Sequence, residues 1–238
     1  MRHTVLLGIL WIGLVFYAVS IPNAETLFED DFSAGTTKWE IFAGNGSVDL
    51  KESNPPKYGP KVLSIRSVDK NAVAFIKDFS FTDGIIEVLW KDAELPAEDA
   101  DGPLFARVQA PEHANGYFGE LDTDPGLHIG MLQKGIEKVL AKGSKLISTA
   151  DWAWMKFQLD GNQLKIKSWL AFDNEPAQWM VELKDDKYQS GKVGIRVHSG
   201  TALIAFLRVT DLQGPGFHLV PNAFLTMSWG LIKQSTIK

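Results

Sequence analysis

Lys192-Val193-Gly194-Ile195-Arg196-Val197, and then Ala202-Leu203-Ile204-Ala205-Phe206-Leu207-Arg208-Val209, decide the fold. A period of two sends alternate side chains to opposite faces, as in a strand with one dry and one wet side. The same period runs upstream through Ile85-Ile86-Glu87-Val88-Leu89-Trp90, Met155-Lys156-Phe157-Gln158-Leu159 and Gln163-Leu164-Lys165-Ile166-Lys167. Asp160-Gly161-Asn162 separates two of these runs and predicts a hairpin turn, because Gly and Asn tolerate positive φ. Only Gly135 to Lys145 hints at a helix, against two glycines. Many short strands with turn signals between them predict an all-β antiparallel sandwich or barrel.

Composition agrees with one packed domain. The 238 residues are 45% hydrophobic and 22% charged, which excludes a disordered or collagen-like chain. A net charge of −5 with scattered Lys and Arg argues against a nucleic-acid partner, which needs a basic face. With no cysteine, the chain has no disulfide scaffold, thiolate zinc site, cysteine nucleophile or lipoprotein anchor. No composition break divides residues 25–212, which are expected to form a single domain.

The two ends read differently. Residues 1–24 have the pattern of a signal peptide: a short basic start at Met1-Arg2-His3, an uncharged apolar run from Thr4 to Ile21, and small residues at Ala18, Ser20 and Ala24. Cleavage is expected after Ser20 or Ala24, with Pro22 close to both. The run is also long enough to stay as an N-terminal anchor, in which case residues 4–21 are the only membrane contact. Either way the domain is expected to be exported: periplasmic, cell-surface or secreted. Residues 213–238 form a C-terminal extension after the break at Gly214-Pro215-Gly216. The alternation Phe224-Leu225-Thr226-Met227-Ser228-Trp229 predicts one extra strand there.

Several segments together resemble a known family. Phe28-Glu29-Asp30-Asp31-Phe32-Ser33 with Trp39 is similar to the opening of concanavalin A-like (laminin G-like) jelly rolls in exported bacterial proteins. Phe105-Ala106-Arg107, Gly116-Tyr117, Gly161-Asn162, Trp169 to Trp179 and Gly191 to Val197 extend the resemblance to about three-quarters of the chain. It reaches the 3-keto-glycoside hydrolase-like domains as well. The resemblance implies a two-sheet antiparallel β-sandwich and a lectin-like or glucanase-like ligand, a glycan or polysaccharide. It is specific for fold and poor for function, since this fold hosts lectins, carbohydrate-binding modules, glycosidases and adhesive domains.

The chemical candidates start with Glu120-Leu121-Asp122-Thr123-Asp124. On a strand these three acids share a face, roughly 6.5–7 Å apart per two-residue step. Neighbouring carboxylates raise one another's pKa, which lets one act as acid while another attacks. The run is similar to the Glu-x-Asp-x-Glu strand of laminarinase-type glucanases. It departs from that strand in its shorter third acid, Asp124, and in the turn Pro125-Gly126 directly behind it. The alternative is an ordinary polar strand face.

Arg107 is implied by the resemblance to face the concave sheet, where a guanidinium fork holds sugar hydroxyls. Alternatively it pairs with Glu120 or Asp122 across neighbouring strands. Trp90 is the indole expected to carry a sugar ring. Trp39, Trp152 and Trp154 are expected to pack, and Trp169 and Trp179 to tie a hairpin together as paired indoles. The resemblance also implies a structural calcium near Asp30 and Asp31, although Leu207 stands where such domains carry Asp. The five histidines lack metal-ligand spacing, and no other cofactor is expected. The expected function is a non-catalytic, exported carbohydrate-binding domain using Arg107, Glu120, Asp122 and Trp90. The alternatives are a glycoside hydrolase acting through Glu120, Asp122 and Asp124, and an adhesive or structural domain whose concave sheet is filled with apolar side chains.

Overall fold

The computed structural model describes residues 24–68, 71–93, 100–109, 114–122, 126–143 and 150–213. The expected signal segment (except Ala24), Asp124 and the expected C-terminal strand lie outside them.

The described residues form strands in chain order. They are β1 (Thr26–Asp30), β2 (Trp39–Phe42), β3 (Ser47–Glu52), β4 (Lys61–Arg66), β5 (Ala72–Ile76), β6 (Gly84–Asp92), β7 (Gly102–Gln109) and β8 (Asn115–Leu121). Then come β9 (His128–Gln133), β10 (Ile136–Lys142), β11 (Ala153–Asp160), β12 (Gln163–Leu170), β13 (Val181–Lys184), β14 (Lys192–Val197) and β15 (Thr201–Thr210). One sheet has the order β13-β12-β11-β6-β15-β4-β3, with β1 on β15; the other runs β10-β9-β8-β7-β14-β5-β2. Every recorded pairing is antiparallel. The molecule is a two-sheet all-β sandwich.

The alternating runs explain the core. Ile86, Val88, Trp90, Met155, Phe157, Ile166, Ile204 and Leu207 point inward from the first sheet; Ala74, Leu104, Tyr117, Ile129, Ile195 and Val197 meet them from the second. Burying each large apolar side chain is favourable by about 1.5–3 kcal/mol. Two further apolar clusters lie outside this layer. Val62, Leu89, Ala205 and Phe206 sit on the outer face of the first sheet, and Val73, Phe75, Phe105, Val108, Phe118 and Leu132 on that of the second.

Two turn chemistries differ in how well the sequence shows them. Gly161 takes φ +54 in a two-residue loop, and Asp160 pairs with Gln163, as the turn signal predicts. The helical hint at Gly135 to Lys145 is overturned, because Ile136–Lys142 is a strand paired with β9. Lys134 and Gly135 both have positive φ, the geometry of a tight hairpin turn, and this pairing outweighs local helical propensity.

Candidate functional site

Glu120, on β8, alternates with the inward residues Tyr117, Gly119 and Leu121, so its carboxylate faces out from the seven-stranded sheet. Outward-facing neighbours converge on it. His128, paired directly opposite on β9, lies 3.1 Å away through Nε2, and Arg196 of β14 donates to the other carboxylate oxygen. All three side chains are buried, with residue exposures of 3%, 2% and 1%. The Arg196 guanidinium lies 4.9 Å above the Phe118 ring and donates through its second nitrogen to Glu137 of β10. His198 Nδ1, just past β14, is 3.0 Å from Asn71 Oδ1 and 3.4 Å from the Glu137 carboxylate.

The Arg196–Glu137 contact shows the curvature of the face. Three strands separate β10 from β14, about 19 Å if the sheet were flat, further than two side chains reach. The sheet is therefore curled, and this outer face is its concave side. Asn71, Asp122, Glu137 and His198 form a partly exposed rim above the buried trio. The middle of the face is apolar. At its other end a cleft of about 630 Å³ opens between Glu40, Lys77, Gln109 and Lys192.

The charges of the trio are set by geometry. Burial alone would raise the Glu120 carboxyl, but the Arg196 charge and the His128 hydrogen bond outweigh it and hold the carboxyl below its ordinary value. Burial alone would lower the His128 imidazole; the bonds to Glu120 and to the Gly126 carbonyl, with the charges of Glu120 and Asp122, push it up instead. Glu120 is thus a fixed carboxylate. A glycosidase acid needs the opposite shift.

Arg107 and Trp90, also expected at the site, lie elsewhere. Arg107 sits at a bulge with φ +51. Its fully buried guanidinium donates to the carbonyls of Thr82 (2.7 Å), Gly161 (2.8 Å) and Tyr188 (3.1 Å) and to Asp83 (2.8 Å). Its ion-pair partner is Asp83 rather than Glu120 or Asp122, and it clamps loops of both sheets together. Trp90 is 0% exposed between the sheets and presents no face for a sugar. Asp122 follows the end of β8 at the rim, near the trio.

The indoles are redistributed too. Trp39 donates to Asp30 at 2.7 Å, and Lys38 and the Phe32 N–H also reach that carboxylate, so donors fill the oxygens a calcium ion needs. Asp31 is engaged by Ser33. Among the described residues no cluster of three or more His, Asp or Glu is arranged to hold a metal. Trp169 stacks on Trp154 at 6.4 Å instead of on Trp179, which lies 4.7 Å from the Lys167 ammonium. Sequence reading missed Asn71, His128, Glu137, Arg196 and His198. The one available signal was Arg196, a charge on the polar phase of an otherwise apolar strand.

No protein-family model matches the chain, and no curated protein matches it. Solved structures do. The chain is similar to the carbohydrate-binding module CBM66 from Bacillus subtilis, at 18% identity and TM-score 0.54, over 74% of this chain and 94% of that one. It is similar to the exoplasmic/lumenal domain of VIP36 in a Ca2+/Man3GlcNAc-bound form, at 13% identity and TM-score 0.55, over 80% and 91%. It is also similar to a GlcNAcα1-4Gal-releasing endo-β-galactosidase from Clostridium perfringens, at 10% identity and TM-score 0.53, over 82% and 64%. These likenesses establish the fold: a concanavalin A-like jelly roll.

Proposed function

We propose that this jelly roll is an exported glycan-binding domain that does not cleave its ligand. The observation that carries the reading is the rim of Asn71, Asp122, Glu137 and His198 above the buried Glu120–His128–Arg196 trio on the concave face. Such a rim offers donors and acceptors in fixed directions, which is what sugar hydroxyls require. The fold's occurrence in a carbohydrate-binding module and in a lumenal domain solved with Man3GlcNAc bound supports the same ligand class. Against hydrolysis by Glu120 stands its burial, at 3% exposure, and its lowered pKa opposes the role of general acid. Export is the reading of residues 1–24, and N-terminal sequencing that finds Ile21 or Glu25 as the first residue supports it.

The test is retention on mannan, galactan and β-glucan gels. Losing one sugar-contacting hydrogen bond to a charged group costs about 1.5–3 kcal/mol, or roughly tenfold or more in affinity. His198→Ala and Asp122→Asn should each weaken retention by at least that factor with an unchanged Tm. Release of reducing sugar by wild type, absent in a folded Glu120→Gln variant, would replace this reading with the hydrolase. A second reading is favoured by the buried apolar floor of Phe75, Phe105 and Phe118: an adhesive domain without a ligand. It prevails if no gel retains the protein.

A further inference from the structure

We propose that His128 is a pH-responsive prop of the concave site: its protonated ring ties the Gly126 carbonyl to the Glu120 carboxylate, Glu120 holds Arg196, and loss of that proton weakens binding at the rim. The ligand half of this inference rests on the glycan-binding reading. The proton half rests on the ring itself.

Both ring nitrogens of His128 face acceptor oxygens. Nδ1 is 2.8 Å from the Gly126 carbonyl and Nε2 is 3.1 Å from Glu120 Oε2. A carbonyl only accepts, and a carboxylate already engaged by Arg196 only accepts, so the ring meets both contacts as a donor only when it carries two protons. A neutral ring would turn a lone pair toward one of the two oxygens. At 2% exposure, water is poorly placed to repair that mismatch.

Every element around the ring contributes charge. From β8 comes Glu120, and beyond its end Asp122. β14 supplies Arg196 through Glu120, and His198 follows it. On β10, Lys142 stands directly opposite His128 in register, and Glu137 acts through Arg196. With the imidazolium present, Glu120 is neutralised from two sides. Without it, Glu120 keeps only Arg196, which Glu137 already shares. The excess negative charge then falls on the bond that crosses the concave face and positions Glu137 and His198. The upward shift of the His128 imidazole is consistent with this chain of contacts.

The sign follows from linkage. A group raised in the folded state contributes fully below its unfolded value near 6.5 and loses that contribution as pH rises through its folded value. The experiment follows imidazole titration by NMR, urea midpoints from pH 6 to 9, and retention on whichever of the mannan, galactan and β-glucan gels binds at pH 6. His128 should titrate above 6.5. The wild-type midpoint should fall on the alkaline side, a fall absent in His128→Gln and kept in His198→Gln. Retention should weaken about fivefold or more between pH 6 and pH 9. A His128 that titrates at or below 6.5 overturns the proposal, even where His128→Gln fails to fold. A pH dependence of the midpoint kept in His128→Gln, or abolished in His198→Gln, overturns it too. If no gel retains the protein at any pH, the glycan reading fails, while the titration and the midpoints still decide whether His128 is the prop.

Discussion

Arg107 and Glu120 are both buried charged residues, yet they do different work. Arg107 faces the seam between the sheets and satisfies three carbonyls that belong to loops. Arg107→Ala leaves these acceptors without their donor, so the expected outcome is a loss of about 2–3 kcal/mol in a urea melt. Arg107→Lys should recover little, since a single ammonium does not reproduce the fork. Glu120 is held below its ordinary value near 4.5. Its stabilisation is present above that value and is lost as pH falls through the lowered folded value. Wild type should therefore lose stability below about pH 4.5, and Glu120→Gln should flatten that acid slope while costing about 3 kcal/mol at neutral pH. Asp31 and Glu175 shift in the same direction, so the slope shrinks without vanishing.

At the level of elements, the β9–β10 hairpin and the packing of β8 are the sensitive points. Lys134 occupies the left-handed region at φ +54, ahead of Gly135 at φ +76. A turn with two positive φ values prefers Asn-Gly, so Lys134→Asn should raise the unfolding free energy from urea melts by a few tenths to about 1 kcal/mol. Its amide still reaches Asn115 at 3.0 Å, because that bond uses the backbone. Gly119 is the opposite case. A Cβ there would lie 2.5 Å from Ile166 Cδ1 and 3.4 Å from the Phe157 ring, across the sandwich. Gly119→Ala should cost about 1–3 kcal/mol by overpacking, measured by the same melt. Elements also show where period-two reading stops. Phe206 is buried as its run implies, and Phe75 is buried too, yet both lie on outer faces and pack in the satellite clusters. Bulges explain part of this. β15 slips register between Ile204 and Phe206, which changes which side chains face in.

On the scale of the molecule, one continuous apolar layer joins both sheets from Phe32 to Val209. Neither sheet keeps its inner face dry without the other. Unfolding should therefore be a single transition, with tryptophan fluorescence and near-UV circular dichroism melting together. Two separated transitions would show that the sheets, or one edge of the sandwich, unfold independently. The concave face is likewise a property of the whole sheet: its trio draws on β8, β9 and β14, and curvature adds β10.

The order of polar and apolar residues by itself determined the all-β class, the Gly161-Asn162 turn and the candidacy of Glu120. These are local or period-two properties, set by which way successive side chains point. Tertiary structure alone decided the partners. His128, Arg196 and Glu137 lie 8, 76 and 17 positions from Glu120 in the chain, and no spacing rule relates them. Their meeting depends on strand order and on the curl of the sheet. The same holds for Arg107 and Trp90, residues with the right chemistry for a sugar site. A bulge turned the first toward the interior and pairing phase put the second between the sheets, because in a sandwich the side a residue faces depends on register, which long-range pairing sets.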